Sequence, residues 1–413
     1  MAEPFAQKLR RYADVAVQVG ANLQPGQHLI VRSDLGAAPL VREIARSAYQ
    51  NGAPYVHVFW ADEQITLNRY RYAARDSFGE YPSWQVRSIV ELIDAGAAMI
   101  SIASEDPSLM SGEDQELIAQ AQKTAAVNSQ PMRARITRSA LNWSIVASPS
   151  KGWAAKVFAD TPEAEQQEQM WEAIFSICRI DQANPVDAWR KHIDHLAARS
   201  AYLNAKRYSA LHYTGPGTDL TIGLADNHIW ISGAMESERG VRFVANLPTE
   251  EVFTMPHRMR VDGTVRATKP LDVGGSLIED FSVTFREGRV VEVSARKGEE
   301  LLRRLVQMDE GAAHIGEVAL VPEHSPIAQS KRIFYNTLFD ENAASHIALG
   351  MAYRFTMEGG TTMDNEAYTA AGGNDSSIHV DFMIGSGEVD IDGVTADGAR
   401  EPVMRQGEWA FEV

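Results

Sequence analysis

Cysteine is almost absent from this 413-residue chain. The single Cys178 excludes an internal disulfide and any thiolate-built zinc site, so a bound metal has to rely on imidazoles and carboxylates. Long apolar runs are missing too. No stretch of 18 apolar residues occurs, and the opening MAEPFAQKLRRYADVAVQVG lacks a secretory core, which predicts a soluble, cytoplasmic protein with no membrane partner. Positive charge is in deficit: 39 basic residues face 55 acidic ones, and a formal charge of -16 repels phosphate backbones, so no nucleic-acid partner is expected. Neither GxGxxG nor GxxxxGK[ST] occurs, which leaves nucleotide binding without its usual support. What is present is an ordinary globular composition, 45% hydrophobic and 23% charged, and the length suits two to three domains of roughly 150 residues.

The first half alternates two periodicities. Phe5, Leu9, Tyr12, Ala16 and Val19 recur three or four apart and predict an opening helix. After Pro25-Gly26 comes a short apolar run, His28 to Val31, then a helical pattern through Leu40, Val41, Ile44 and Ala48 that stops at Asn51-Gly52. Tyr55 to Trp60, Met99 to Ala103 and Ser144 to Ala147 read as further strands. This order predicts an α/β domain over residues 1–200, with an open, mostly parallel sheet. The second half, residues 201–413, reads as an α+β domain with a largely antiparallel sheet. Ser209 to Thr214 and Leu220 to Gly223 flank a Gly-Pro-Gly-Thr turn, and Phe281 to Phe285 and Arg289 to Val293 flank Glu287-Gly288. Helices are predicted at Pro185 to Ala205, Glu299 to Met308 and Asn342 to Tyr353.

The chemistry concentrates in that second half. In Ser377-Ile-His-Val-Asp-Phe-Met-Ile-Gly385, residues two apart share a strand face, so His379 and Asp381 would point together. Alone, such a pair reads as a surface ion pair, but Gly372-Gly373 just before it allows close backbone approach to a site. As a helix, Asn342 to Tyr353 would set His346 and Tyr353 two turns apart on one face. Glu317, and one of Glu250 and Glu251, lie at the edges of apolar strand-like runs. An ionised carboxylate is costly to bury there without a cation, which argues for ligands, and strand alternation admits only one of the adjacent pair.

Taken together, NLPTEEVFTMPHRMRVDGTV at 246–265, IGEVALVP at 315–322, NAASHIALGMAY at 342–353 and GGNDSSIHVDFMIGS at 372–386 resemble the M29 family of metallo-aminopeptidases. The resemblance covers most of the chain. It implies metal-binding residues at Glu251, Glu317, His346, His379 and Asp381, and an active-site tyrosine at Tyr353. It further implies two divalent ions (Zn, Co, Mn or Mg), peptide substrates with a free N-terminus, and a homodimer enclosing the active sites. Five such side chains exceed the needs of one catalytic zinc and suit a dinuclear centre, with Glu317 or Asp381 bridging and a water held between the ions. Glu317 is the candidate to carry the proton to the leaving amine, and Tyr353 to hydrogen-bond the oxyanion. The rival is a mononuclear non-heme iron ring-cleaving dioxygenase, because His346, His379 and Asp381 alone make a two-His-one-carboxylate set on a scaffold that such enzymes resemble. Glu251 and Glu317 are superfluous to that chemistry. A third reading is a binding protein whose metals only hold the second domain together. Among the remaining candidates, His192 and His195 read as an exposed helical face, His28 and His57 as packed residues of the N-terminal sheet, His314 as structural, and Cys178 as buried. His257 is open to a supporting role beside the site.

Overall fold

Short apolar runs bounded by turn residues become parallel strands when both faces of the sheet are covered. The computed structural model, which describes residues 3–273 and 276–413, bears this out for β1 (Leu29–Asp34), β2 (Val56–Ala61), β3 (Ala98–Ala103) and β4 (Trp143–Ala147). These strands pair in parallel in the order β2-β1-β3-β4, and Leu29, Ile30 and Val31 have no exposure. The opening helix α1 (Phe5–Val15) continues as predicted but closes through a π-helical turn, Ala16–Gly20. Gly20 is needed there, since a Cβ would lie 2.7 Å from the Ser144 hydroxyl. Next come α2 (Ala38–Gln50), stopped at Asn51-Gly52, then α3 (Glu63–Tyr72), α4 (Ser83–Asp94) and α5 (Gln115–Thr137). Val86, Ile89 and Ile93 of α4 and Met132 of α5 pack with Ile30 and Met99 in one buried cluster. Three more helices, α6 (Lys151–Val157), α7 (Glu163–Ile177) and α8 (Pro185–Lys206), follow.

The second half carries the antiparallel sheets. One contains β5 (Ala210–Gly215) and β6 (Thr218–Leu224), joined by the expected hairpin. After β7 (Ile231–Ser232) comes a small hairpin of β8 (Ala234–Glu236) and β9 (Arg242–Val244). Next are β10 (Val252–Thr254), β11 (Pro256–Arg266), β12 (Leu271–Val273), β13 (Ser276–Arg286) and β14 (Arg289–Lys297), the last two forming the second expected hairpin. The helix α9 (Glu299–Leu305) leads on to β15 (Ile315–Leu320), β16 (His346–Gly350) and β17 (His379–Met383). Then β18 (Asp390–Val394), β19 (Arg400–Arg405) and β20 (Glu408–Trp409) return to the large sheet, of order β12-β13-β11-β6-β5-β18-β19-β20 with β14 beside β13. A five-stranded sheet, β17-β16-β15-β10-β7, stands apart from it.

Contacts divide the chain into two units, Met1–His192 with Ala234–Pro248, and Ile193–Gly233 with Thr249–Val413. The return of 234–248 to the first unit has a plain cause. Ile145 of β4 donates its N–H to the Ala245 carbonyl at 2.7 Å and accepts from Leu247 at 2.9 Å, so this segment extends the parallel sheet.

Two expectations need correcting. Residues 346–350 form a strand rather than part of a helix, because each of them is buried and β16 is hydrogen-bonded between β15 and β17, a tertiary demand that overrides the helical leaning of Ala348 and the alanines before it. His28 and His57 are not packed inside the N-terminal sheet. Their rings stack at 5.3 Å beside the exposed Tyr55, with His28 itself exposed.

One buried bond tests the packing of the first unit. The Tyr12 hydroxyl, fully buried, accepts the Ala147 N–H at 2.9 Å, while its ring meets Trp171 and Phe175 edge-on. Tyr12→Phe keeps the ring contacts and orphans the amide, so it should destabilise the first unit by about 1–3 kcal/mol. Denaturant titration with amide exchange at Ala147 checks this, and an unchanged exchange rate would show the bond to be dispensable.

Candidate metal centre

Strand register builds the site. Ala348, at the middle of β16, sits opposite Glu317 on one neighbour and Asp381 on the other. His346 lies two residues before Ala348, on the same face, and His379 is opposite Gly350, two residues after it. Two imidazoles and two carboxylates therefore rise from one face around an alanine and a glycine, whose small size leaves the floor clear. A bulge between Ile315 and Glu317 sets the β15 register, and Gly316 at that bulge is obligatory, because a Cβ would meet the Gly350 and Met351 carbonyls at 2.3 Å.

Glu251 comes from outside these three strands, directly before β10, which pairs with β15 from Val252↔Leu320 to Thr254↔Val318. Its backbone is pinned by the preceding residue. The Glu250 N–H donates to Oδ1 of the fully buried Asn342 at 2.7 Å. Of the adjacent acids, Glu251 is the one beside His346, whereas Glu250 acts on Arg199.

The distances show one carboxylate shared between two clusters. His346 Nε2 is 3.3 Å from Glu251 Oε2 and 3.6 Å from Glu317 Oε1. His379 Nε2 is 3.7 Å from Glu317 Oε2 and 3.4 Å from Asp381 Oδ1. In each trio, Glu251-Glu317-His346 and Glu317-His379-Asp381, one ligand atom per residue falls within 4.8 Å of the others. Both imidazoles are aimed from behind: His346 Nδ1 donates to the Ala344 carbonyl at 3.1 Å and His379 Nδ1 to the Met351 carbonyl at 2.7 Å. Each Nε2 is thereby turned toward the acids, the orientation that metal-ligating histidines adopt.

Electrostatics argue for a cation. Burial drives the Glu317 carboxyl above its ordinary value. Glu341, which no sequence pattern singled out, lies in the same field, and burial together with Glu251 and Asp381 holds it well above the carboxylate range. Burial lowers both histidines, but the carboxylates outweigh it. Glu251 and Glu317 raise His346 well above its usual value, and Asp381 and Glu317 bring His379 to about 9. Burial likewise pushes Asp381 up, and the neighbouring His379 reverses that to a net lowering. Even so, among the described residues no well-formed hydrogen bond reaches the buried Asp381 Oδ1, with His379 Nε2 standing 3.4 Å away. Carboxylates held this close, with an unserved buried oxygen, fit divalent cations by their donor chemistry. Tyr353 stands beside them, with its ring 4.8 Å from that of His379 and stacked on Phe355 at 5.2 Å, and burial plus the four acids keep its phenol protonated.

The surrounding glycines serve packing rather than the site itself. A Cβ on Gly373 would strike the Tyr368 ring at 2.4 Å, and one on Gly372 would strike His257 at 2.5 Å. His257 thus packs behind the loop, and His314 donates through Nδ1 to the Arg258 carbonyl at 2.9 Å as a buried structural residue. His195 is exposed and His192 half-buried against Trp189; Cys178 is buried. The loop leading into β17 is held by groups that sequence reasoning missed. Asn374 donates to the Gly311 and Gly350 carbonyls at 2.8 and 2.6 Å. Asp309 accepts from the Ser376 hydroxyl at 2.8 Å, the Ser377 N–H at 2.7 Å, the Ser377 hydroxyl and the Ala312 N–H.

An α/β unit joined to an antiparallel unit whose buried face gathers carboxylates and imidazoles is the architecture of a metal-dependent enzyme. A family model described as thermophilic metalloprotease (M29) matches residues 5–409, and the chain belongs to that family. It is similar to Aminopeptidase 2 of Geobacillus stearothermophilus, with 50% identity over 409 residues and 99% of each chain covered. Aminopeptidase AmpS of Bacillus subtilis is 47% identical over 409 residues, 99% of this chain and all of that one. The structure of wild-type AmpT from Thermus thermophilus superposes with a TM-score of 0.93 at 44% identity, covering 99% of this chain and 100% of that one. The chain is therefore a metal-dependent peptide hydrolase with the expected fold class. No helix among the described residues is long and apolar enough to cross a membrane.

The Asp309 clamp yields a signed pH prediction. Burial raises this carboxyl, but the serine and backbone donors prevail and bring it to about 2. A depressed carboxylate stabilises the fold fully above its unfolded pKa of about 4 and loses that contribution as pH falls towards 2. Asp309→Asn should therefore cost about 1.5–3 kcal/mol at neutral pH. The gap to wild type should close between about pH 4 and pH 2, as read by denaturant midpoints across that range. A gap independent of pH would assign the loss to packing.

Proposed function

We propose that the chain is an aminopeptidase that releases N-terminal residues from peptides at a dinuclear divalent centre carried by residues 201–413, with Glu251 and His346 on one ion, His379 and Asp381 on the other, and Glu317 between them. The observation carrying this reading is the placement of the two Glu317 oxygens, one 3.6 Å from His346 and the other 3.7 Å from His379. The names of the relatives, Aminopeptidase 2, AmpS and Aminopeptidase T, support the direction of cleavage. Divalent ions held by these residues would lower the pKa of a water and would polarise the scissile carbonyl.

The chain's own residues do the rest. Glu317, buried between the two histidines, is the residue assigned to take the proton of the attacking water and pass it to the leaving amine. Tyr353 stays protonated, so its hydroxyl is available to hydrogen-bond the developing oxyanion. We further propose a cytoplasmic homodimer, using Zn, Co, Mn or Mg. The ring-cleaving dioxygenase alternative gains no support, since the matching family model and the named relatives are peptidases.

Glu317→Gln should reduce hydrolysis of an unblocked dipeptide by about two to three orders of magnitude and lower bound metal from about two ions per chain. Wild-type turnover in a variant that has lost its metal would overturn the assignment, as would one iron per chain with oxygen uptake on an aromatic diol. Tyr353→Phe should lower kcat by about 10²–10³ with metal content unchanged. A fall in metal content instead would make Tyr353 a ligand or a packing residue. N-acetylated peptides should resist cleavage throughout, and their hydrolysis would refute N-terminal release.

A further inference from the structure

The parallel sheet of the first unit has a feature that peptide hydrolysis leaves unused. The chain leaves β1 to form β2 on one side, then returns to form β3 on the other, so β1 and β3 are neighbours whose connections diverge. In open α/β sheets this divergence opens a crevice at the carboxyl ends of the strands, where ligands bind. Such a cavity is present here. It measures about 750 Å³ and is lined by the carboxyl ends of β1, β2 and β3, by α4 and by the turn after β3.

Its walls have a definite chemistry. Trp60, Tyr81 and Trp84 supply aromatic faces, and the two tryptophans are 44% and 56% exposed, an unusual state for rings so large. Asp34, Glu63 and Glu105 supply three carboxylates against one cation, the exposed Arg32. Each acid accepts only backbone N–H groups: Asp34 from Gly36 and Glu63, Glu63 from Asp106, and Glu105 from Ser104. Among the described residues, none of the three has a Lys, Arg or His partner within salt-bridge distance, whereas Glu172, Asp14, Glu113 and Asp94 of the same unit are paired. Burial raises the Glu63 carboxyl, and the charges of Asp34, Asp106 and Asp62 add to the rise. Aromatic faces beside unpaired carboxylates attract cations both through the ring quadrupole and by direct charge.

We propose that this cavity is a binding site for an organic cation, an ammonium or guanidinium on an alkyl stem, seated against Trp60 and Trp84 with its charge toward Glu63 and Glu105. The stem packs on the rings while the carboxylates serve the charged head. Two sources share this chemistry, the basic side chain of a peptide and a free polyamine.

Tryptophan fluorescence of the full metal-loaded chain tests the site. The probes are Nα-acetyl-lysine amide and spermidine, with the neutral Nα-acetyl-norleucine amide and the anionic Nα-acetyl-glutamate amide as controls. At least one cation should give a saturable change and bind at least about tenfold more tightly than the norleucine probe. The tighter of the two identifies the source. Trp84→Leu and Glu105→Gln, both at exposed positions, should each weaken binding by about tenfold, with hydrolysis of a neutral dipeptide at the wild-type rate reporting an intact fold. The proposal is overturned if no probe saturates, if the norleucine or glutamate probe binds as well as the cations, or if neither variant alters affinity.

Discussion

Negative charge brought together out of water is the constraint around which the second unit is organised. Glu251, Glu317 and Asp381 converge with two imidazoles on a buried sheet face, and Glu341 adds a fourth carboxyl to the same field. Desolvating one such group costs several kcal/mol, so four side by side are tolerable only with protons or cations among them. Protonated histidines supply part of that compensation, which is why His379 is raised to about 9 despite its burial. Divalent ions would supply it more completely, and membership of a metalloprotease family agrees with that solution.

Holding mutually repelling groups in place requires a stiff frame. Three adjacent strands fix the positions of Glu317, His346, His379 and Asp381 through a ladder of backbone bonds. Polar side chains buried near the sheet hold what the ladder does not reach: Asn342 for the segment bearing Glu251, Asn374 and Asp309 for the approach to His379. The carbonyls of Ala344 and Met351 then set the ring orientations. Rigidity of this kind keeps reactive groups in place before a substrate arrives.

Much of this was legible in the sequence, unevenly and for physical reasons. Parallel strands such as Leu29–Asp34 showed as apolar runs, and hairpins showed through Gly-Pro-Gly-Thr and Glu-Gly turns, because those signals are local. The two-residue spacing of His379 and Asp381 was readable for the same reason. The segment around His346 misled, since Ala348 is small to leave room at the centre of the site, and alanine also favours helices. Glycines 372 and 373 looked like an approach to the site and turned out to accommodate His257 and Tyr368. Asp309 and Glu341 were invisible, because an acid in a loop acquires meaning only from distant partners, here Ser376 and Ser377 for the former and the cluster itself for the latter.

The excursion of residues 234–248 into the parallel sheet carries one more consequence. Because Ala245 and Leu247 bond to Ile145 while Gly233 and Thr249 belong to the other unit, the polypeptide crosses between units at three places along its length. No single proteolytic nick or truncation yields two self-sufficient halves. A recombinant fragment beginning after α8 would carry an orphaned strand, and one ending there would lack the edge of its own sheet. Gene fusions or exchanges that treat the halves as interchangeable cassettes would have to transplant this short segment together with the N-terminal partner.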